Sequence, residues 1–301
     1  MSTAIGSKTL VITGAASGFG LEFARLGASR GYNIVMADVE QGALDAAAAE
    51  ISATGVQVLA QRVDVSRHEQ IDALAAATKA RFGAPHWVFN NAGVGSGGLI
   101  WENTLKDWEW VMGVNVMGVV YGVKAFTPMM LERAKAEPDY RGCIVNTASM
   151  AGMLNAPTMG VYNVSKHAVV SLTETLYQDL KLVSDQVTAS VLCPYFIATG
   201  IAQSHRNRPA ELKNDEGPTL SQLVAQAQTS KAVTSGKVTA AMMAEMVFDA
   251  VDKGQFYIFS HPHALGNVAT RMSDITAVRN PTDPFAERPE ISAALKAKLR
   301  G

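Results

Sequence analysis

A tyrosine followed four residues later by a lysine carries the clearest chemistry in this chain. The pair is Tyr162 and Lys166, within the segment VYNVSKHA. Side chains four residues apart lie on one face of a helix, so the ammonium can stand beside the phenol and favour its ionised form. A free phenol has a pKa of about 10, and one unit of change corresponds to roughly 1.4 kcal/mol. By itself the pair also fits an ordinary surface helix; with a substrate partner and a cationic cofactor ring it predicts a tyrosine that exchanges protons near neutral pH.

Ser149 supplies a candidate partner for the phenol. It lies thirteen residues before Tyr162, just after a buried apolar run at 142–147. Its hydroxyl can donate to a substrate oxygen beside the Tyr162 phenol, and two convergent donors suit a carbonyl that develops alkoxide character. A lone serine after a strand is usually a turn residue, so this interpretation depends on the elements that position it.

Short apolar runs alternate along the chain with longer Ala-rich and Leu-rich helical patterns. This alternation is typical of repeated βαβ units and a parallel sheet covered on both faces. It predicts an α/β fold, a Rossmann-like doubly wound seven-stranded parallel sheet flanked by helices in a single domain. The predicted strands are residues 9–13, 33–37, 57–62, 86–90, 142–147, 188–193 and 256–259, and the predicted helices are 18–29, 41–54, 67–82, 104–134, 161–183 and 239–253.

The same pattern predicts how the domain is organised. Residues 1–262 form the dinucleotide-binding Rossmann domain with the catalytic site, and the polar stretch at about 200–236 is expected to be an irregular substrate loop. Residues 263–301 extend this domain and cover either a neighbouring subunit or the active-site mouth. Ser66 with Glu69 three residues later predicts a capping box for the third helix. The basic patch at 205–208 either meets a substrate anion or is a solvated loop face.

Composition excludes several classes of protein. The formal net charge of −1 gives no field that would attract nucleic acid or an anionic membrane. The apolar segments of about 18 residues are interrupted by Gly, Pro or Asn, which predicts no membrane span, and the first residues lack a basic secretion signal. We therefore expect a cytoplasmic protein. Cys143 and Cys193 lie in apolar runs and are expected to be reduced core thiols, and the six histidines show no spacing typical of a metal site.

A glycine-rich turn links the first predicted strand to the first helix. The segment from Gly14 to Gly20 lets the backbone approach a pyrophosphate, whose charge would lie at the helix N-terminus. Asp38 ends the second strand, eighteen residues beyond Gly20. An acidic residue there can accept both hydroxyls of an adenosine ribose and repel a 2′-phosphate. The arrangement predicts a dinucleotide site, and it favours NAD over NADP.

Polar residues at other strand ends point to the same crevice. Asp64 and Val65 follow the third strand, the segment from Asn90 to Gly93 follows the fourth, and the segment from Pro194 to Thr199 follows the sixth. Ligands of open α/β sheets bind outside the carboxyl ends of the strands. We therefore expect these segments to lie around one site.

Taken together, these motifs resemble those of the short-chain dehydrogenase/reductase family, in its shorter single-domain branch, over about residues 8–260. The matching residues are the turn TGAASGFG at 13–20, the segment NNAG at 90–93, Asn115, Ser149, and the Tyr162 and Lys166 pair. The resemblance implies that Tyr162 is the catalytic acid/base, that Ser149 orients the substrate oxygen, and that Lys166 lowers the phenol's pKa and binds the nicotinamide ribose. It also implies that Asn115 holds a water that links Lys166 to solvent.

The resemblance assigns cofactor contacts as well. Asp64 and Val65 would contact the adenine, Asn91 would lie by the adenosine ribose, and Ile197 and Thr199 would hold the carboxamide. The complete expected cofactor set is Gly14, Ser17, Gly18, Phe19, Gly20, Asp38, Asp64, Val65, Asn91, Ala92, Gly93, Tyr162, Lys166, Pro194, Ile197 and Thr199.

The expected activity is therefore NAD-dependent interconversion of a secondary alcohol and a ketone. Ser149, Met150, Tyr162 and Tyr195 are the expected substrate contacts; Tyr195 replaces the glycine common in the family, and it either shapes an apolar or aromatic pocket or packs into the core. The alternatives are an NADP-dependent carbonyl reductase and a non-catalytic dinucleotide sensor. The resemblance also implies a homodimer or homotetramer.

Overall fold

A computed structural model describes residues 8–234 and 237–300. The strands are β1 Thr9–Thr13, β2 Asn33–Asp38, β3 Val58–Arg62, β4 Trp87–Asn90, β5 Gly142–Thr147, β6 Val187–Cys193 and β7 Tyr257–Phe259. They form one sheet in the order β3-β2-β1-β4-β5-β6-β7, and every neighbouring pair is parallel. The strand order reverses between β1 and β4, which opens a crevice at the carboxyl ends of the strands.

Ten α-helices in the described residues accompany the sheet. They are α1 Gly18–Ser29, α2 Gln41–Ser52, α3 His68–Phe82, α4 Leu105–Met112, α5 Gly118–Ala136, α6 Gly160–Val183, α7 Leu220–Thr234, α8 Ala240–Asp252, α9 Leu265–Thr276 and α10 Pro289–Leu299.

The sheet is buried on both faces because successive side chains of each strand point in opposite directions. Leu10 and Ile12 of β1 pack in one core with residues of α1, α2 and α8. Val11, between them, packs in a second core with residues of α3, α5 and α6. A strand buried on both sides must be apolar throughout, which explains the continuous apolar runs in the sequence.

The predicted fold is confirmed, and the strand boundaries differ from the prediction by at most one residue. The predicted helix at 104–134 is instead divided by a π-helical segment, Gly113–Met117. The predicted cap of α3 is wrong: α3 begins at His68, and the hydroxyl of Ser66 donates to Asp64. Ser66 belongs to the turn that Asp64 shapes, and the N-cap position falls one residue later, at Arg67, which makes no side-chain capping bond. A capping box occurs at α4, between Thr104 and Asp107.

The stretch predicted to be an irregular loop at 200–236 is largely helical. It contains the 3-10 segment Gly200–Asn207 and α7; residues 235–236 lie outside the described part. Because this stretch is polar in composition, its sequence does not predict α7. The buried residues of α7, among them Val224 and Ala225, face the body of the domain. The extension after residue 263 is also helical, and α10 packs against α7. The helical structure of α7 and α10 therefore depends more on tertiary packing than on the local sequence pattern.

One helical stretch in the described residues, Leu105–Ala136, is long and apolar enough to cross a membrane by length and composition alone. The π-helical segment divides it, and α5 packs against β4 and β5. This packing is that of a helix that covers the sheet.

Candidate active site

The glycine turn after β1 is shaped by close backbone approach. Gly14 and Gly18 adopt positive φ values of 65° and 54°, which favour glycine. A Cβ on Gly20 would lie 2.1 Å from the carbonyl oxygen of Gly14, and a Cβ on Gly14 would lie 2.9 Å from Cα of Ala92. The turn therefore holds the start of α1 against the ends of β1 and β4.

The start of α1 fits an anionic group. Ser17 is the N-cap residue, and its side chain makes no capping bond to the first N–H groups of the helix. The first N–H groups of a helix and its dipole attract negative charge. Phe19, two residues after Ser17, packs against the hydrophobic core and stacks with Phe23. The residues present therefore fit the pyrophosphate of a dinucleotide.

Asp38 lies at the end of β2 beside this turn. Its carboxylate accepts a hydrogen bond from the backbone N–H of Ala16 at 3.0 Å and one from the N–H of Glu40 at 3.0 Å. These bonds fix the carboxylate next to the glycine turn, where the sequence predicts the adenosine ribose. Each oxygen retains a lone pair for a further donor.

Asn91 fastens the turn to β4. Its amide donates to the carbonyl of Thr13 at 3.0 Å and to that of Gly14 at 3.4 Å, and its carbonyl oxygen accepts from the Thr147 hydroxyl. The buried hydroxyl of Thr13 accepts from the N–H groups of Asn91 and Ala92. Sequence reasoning placed Asn91 beside a ribose; in the structure its side chain holds three strand ends together.

Asp64 and Val65, the residues expected at the adenine, follow β3. Asp64 accepts from the backbone and hydroxyl of Ser66, which shapes the turn into α3. Val65 is buried against the start of α5, where a Cβ on Gly118 would lie 2.9 Å from its side chain. Both residues lie at the expected edge of the sheet.

Tyr162 lies in the first turn of α6 and is 9% exposed. Burial raises the pKa of Tyr162 to about 12, and a hydrogen bond with the Ser149 side chain opposes this change. Without a cofactor, the protein therefore keeps the phenol protonated at neutral pH. The expected lowering of its pKa by Lys166 does not offset the effect of burial in this state.

Lys166 is buried one turn later on the same helix. Its ammonium donates to the carbonyl of Thr147 at 2.8 Å and lies 5.6 Å from the centre of the Tyr162 ring. Burial lowers the pKa of Lys166 to about 8, because a charged ammonium loses its hydration. A Cβ on Gly93 would be only 3.5 Å from the ammonium, so the last residue of the NNAG segment borders it.

Asn115 lies in the π-helical segment and is 1% exposed. Its side chain accepts from the N–H of Val94 at 2.8 Å and donates to the carbonyl of Val94 and to the Ser165 hydroxyl, each at 3.0 Å. The side chain thus ties α6, one residue before Lys166, to the segment after β4. Such π segments are frequent at functional sites.

Ser149 and Met150 follow β5. The Ser149 hydroxyl donates to the carbonyl of Pro194 at 3.3 Å and accepts from the N–H of Ala151 at 3.1 Å. Met150 is 2% exposed and packs with Val169 and Cys193. Its expected role in substrate contact fits this position poorly, because its side chain is buried in the core.

The segment after β6 contributes both buried and open residues. Pro194 and Ile197 are buried, whereas Thr199 is half-buried and lies 3.5 Å from the position a Cβ on Gly18 would take. Tyr195 is 39% exposed and contacts the rings of Phe196 and His261. Of the two interpretations of Tyr195, its exposure argues against core packing, and the role in an apolar or aromatic pocket stays a prediction.

Several residues that position the site were not predicted from the sequence. Thr147 holds the Lys166 ammonium, Ser165 bonds to Asn115, and Ser204 accepts from the N–H of Gly95 at 2.9 Å. The position of Thr147 at the end of β5 was a usable signal. Nothing local to Ser204 indicates its partner, which is 109 residues away. Among the described residues, no group of three or more His, Cys, Asp or Glu side chains could hold a metal ion.

The sheet, the glycine turn and the convergence of Ser149, Tyr162 and Lys166 define an oxidoreductase of the Rossmann type. The sequence also matches the family model of the short chain dehydrogenase over residues 8–210. The chain belongs to the short-chain dehydrogenase/reductase family.

Relatives cover most of the chain. A short-chain dehydrogenase/reductase from Burkholderia phymatum, solved in complex with NAD, is 51% identical with a TM-score of 0.89 and covers 93% of this chain and 98% of its own. The CLA biosynthesis dehydrogenase/reductase of Lactiplantibacillus plantarum is 34% identical over 85% of this chain and 88% of its own length. The 1-deoxy-11-beta-hydroxypentalenate dehydrogenase of Streptomyces exfoliatus is 32% identical over 89% and 88% respectively.

Proposed function

We propose that this protein is an NAD-dependent oxidoreductase that interconverts a secondary alcohol and a ketone. The observation that carries the proposal is the placement of Ser149, Tyr162 and Lys166 at the rim that also holds the glycine turn and Asp38. Fold alone would not support an activity, since many functions use doubly wound sheets.

The side chains divide the chemistry among them. NAD bound in this crevice would supply the acceptor for the hydride of the carbinol carbon. Tyr162 takes the hydroxyl proton in oxidation and returns it in reduction, while Ser149 donates to the same oxygen and stabilises its negative charge. The ammonium of Lys166 favours the ionised phenol and, through donors beyond its bond to Thr147, binds ribose hydroxyls. A water held at Asn115 links the ammonium to solvent.

Asp38 favours NAD over NADP. A fixed carboxylate accepts ribose hydroxyls and repels a 2′-phosphate, and Val39 after it carries no charge that would compensate. The Burkholderia relative was solved with NAD, which agrees with this choice. An NADP-dependent carbonyl reductase is the second candidate.

The substrate is proposed to be largely apolar or aromatic. Tyr195 presents a 39% exposed ring after β6, with Phe196 and His261 against it. An open aromatic surface near the catalytic rim suits a ligand with apolar bulk. The Streptomyces relative is named as a dehydrogenase of a hydroxylated compound, which fits an alcohol substrate.

A cytoplasmic homodimer or homotetramer completes the proposal. A shallow cavity of about 290 Å³ lies between α5 and α6, lined by Val123, Leu172 and Leu176 among others. At the end of α6, Leu182 is 83% exposed and Val183 63% exposed. Exposed apolar side chains on paired helices suit a subunit interface. Size-exclusion chromatography with light scattering tests this point, and a monomer at micromolar concentration contradicts it.

The activity is tested by the absorbance of NADH with aliphatic, steroid-like and aryl secondary alcohols, each with NAD and with NADP. The expected result is turnover of at least one apolar alcohol, with NAD preferred. Tyr162→Phe should lower kcat by about 10²- to 10⁴-fold and still bind NADH. A kcat close to that of the wild type contradicts the proposed mechanism, and NADP bound at least as tightly as NAD contradicts the cofactor assignment.

A further inference from the structure

A strap of protein, residues 199–208, runs across the crevice in which the proposed cofactor binds. Its first residue, Thr199, lies against Gly18 at the start of α1. The 3-10 segment Gly200–Asn207 follows, and in its middle Ser204 bonds to Gly95 after β4. The strap thus begins over the anion-binding end of α1.

The far end of the strap is bonded to Glu40, which lies two residues after Asp38 in the sequence. The guanidinium of Arg206 donates to one carboxylate oxygen of Glu40 from two nitrogens, at 3.0 Å and 2.7 Å, and Asn207 donates to the same oxygen at 2.9 Å. The N–H of Glu40 in turn donates to Asp38. The strap therefore reaches from the pyrophosphate end of the crevice to its ribose end.

A second anchor lies just beyond the strap. Arg208 donates to the carboxylate of Asp107 at 2.6 Å and stacks over Trp110, and Asn214 donates to the same carboxylate oxygen. The side chains of Arg208 and Asp107 are 13% and 4% exposed. Breaking this ion pair would leave a buried charge without a partner.

The Glu40 contact is of a different kind. The Arg206 and Glu40 side chains are 39% and 34% exposed, so water can replace either partner at little cost. Hydrogen bonds from Arg206, and then from Asn207, lower the pKa of Glu40, so the carboxylate is charged at neutral pH. The strap therefore has a firm anchor at Asp107 and an openable one at Glu40.

We propose that Glu40 and Arg206 form a latch that closes the strap over the cofactor and limits the rate at which the cofactor leaves. This inference rests on the proposed cofactor site. Opening the latch releases the end of the strap at Arg206 from Glu40, while the bond between Ser204 and Gly95 holds its middle and the pair of Arg208 and Asp107 holds its base. Because the latch lies at the ribose end, away from Tyr162, it acts on binding and release and leaves the chemical step alone.

The test is the dissociation of NADH, followed by stopped-flow fluorescence when excess NAD displaces it. Arg206→Gln should release NADH about 2- to 5-fold faster, the range expected for one exposed ion pair. Arg206→Lys, which keeps the charge but loses the second bond, should recover part of the difference. Added salt should accelerate release from the wild type more than from Arg206→Gln.

A matched control is available on the surface of α1. Arg25 donates to Glu50 of α2 and to Glu22 through short bonds and is similarly exposed, and both of these partners lie outside the strap. Arg25→Gln should release NADH at the wild-type rate. A double-mutant cycle with Glu40→Gln and Arg206→Gln should be non-additive, because each substitution removes the same contact.

A second readout needs no cofactor. Backbone amides of residues 200–207 should exchange hydrogen faster in Arg206→Gln than in Arg25→Gln, while those of 208–214 stay unchanged. Equal NADH release from Arg206→Gln and Arg25→Gln overturns the latch. Failure of the wild type to bind NADH overturns the proposed function instead, so the two failures are distinguishable.

Discussion

The ammonium of Lys166 lies 5.6 Å from the centre of the Tyr162 ring, and both side chains are buried. Burial moves their pKa values in opposite directions, that of Tyr162 up to about 12 and that of Lys166 down to about 8. In the protein alone the phenol is neutral and the lysine holds its proton only up to mildly alkaline pH. For Tyr162 to act as a base near neutral pH, its pKa must fall when the cofactor binds, and in the proposed mechanism the positive nicotinamide ring would contribute to that change.

We expect Tyr162→Phe to lower kcat by about 10²- to 10⁴-fold, because it removes the proton acceptor from the reaction. In the wild type, alcohol oxidation should increase as pH rises through the pKa of the phenol in the cofactor complex, and ketone reduction should decrease. Initial rates in both directions between pH 6 and about 10 measure this. Opposite trends from those stated would remove Tyr162 from its proposed role.

Lys166 should make stability depend on pH. Its pKa is about 8 when folded and 10.5 ordinarily, so the folded state resists protonation. Protonating the buried lysine lowers the free energy of unfolding by about 3 kcal/mol. This cost is fully present below pH 8 and disappears as pH rises toward 10.5.

Lys166→Met lacks this penalty. Relative to that variant, the wild type should therefore gain stability between about pH 8 and 10. The unfolding-linked ionisation of the Tyr162 phenol, whose ordinary pKa is 10.0, is common to both proteins and does not contribute to the difference. Urea unfolding at both pH values measures the difference. A stability difference that is the same at both would show that the lysine is not desolvated.

Gly20→Ala should abolish NADH binding and destabilise the protein by about 1–3 kcal/mol. The added Cβ would lie 2.1 Å from the carbonyl oxygen of Gly14, which is backbone and cannot move aside without opening the turn. Gly42→Ala in α2 is the matched control, since no atom lies within 4 Å of its Cβ. That control should bind NADH normally and gain about 0.5–1 kcal/mol from helix propensity. Both are checked by thermal unfolding and NADH fluorescence.

Asp38→Asn should shift the cofactor preference. The substitution removes the charge that repels a 2′-phosphate and weakens the bonds to ribose hydroxyls, so kcat/KM for NAD should fall about 10- to 100-fold while that for NADP rises. Asp45→Asn, on the exposed surface of α2, serves as the control. An unchanged NAD to NADP ratio in Asp38→Asn would place the ribose elsewhere.

The sequence was sufficient for the sheet and for the residues at its carboxyl edge, because apolar periodicity and parallel topology together place strand ends in one crevice. The sequence did not predict contacts between side chains that are far apart along the chain. Arg206 and Glu40 are 166 residues apart, so the basic patch at 205–208 offered no local sign of its two carboxylate partners. The predicted Ser66 cap is wrong for a local reason, since Asp64 accepts from both the N–H and the hydroxyl of Ser66 in the turn, and the helix begins one residue later than the pattern indicates.

The C-terminal helix α10 should stabilise the substrate side of the crevice. It packs against α7, and Leu295 is its buried residue at 5% exposure. At its other end α7 is bonded to the segment after β4: the Ser221 hydroxyl accepts from the N–H of Leu99 and donates to Glu102. A Cβ on Gly97 would lie 2.6 Å from that of Ala225. Loss of α10 packing therefore loosens a helix that supports this segment.

Leu295→Ala is expected to cost about 2–4 kcal/mol of stability, as other buried leucines do. It should raise KM for the alcohol substrate several-fold. Because α7 also packs against the 3-10 segment of the strap, the substitution should accelerate NADH release as well, but by less than Arg206→Gln does, since the Glu40 and Arg206 pair is kept. Lys298→Ala, exposed on the same helix, is the control and should match the wild type. Steady-state kinetics with stopped-flow release separate the two effects. If Leu295→Ala accelerated NADH release as much as it raised KM, α10 would support the whole crevice and not its substrate side.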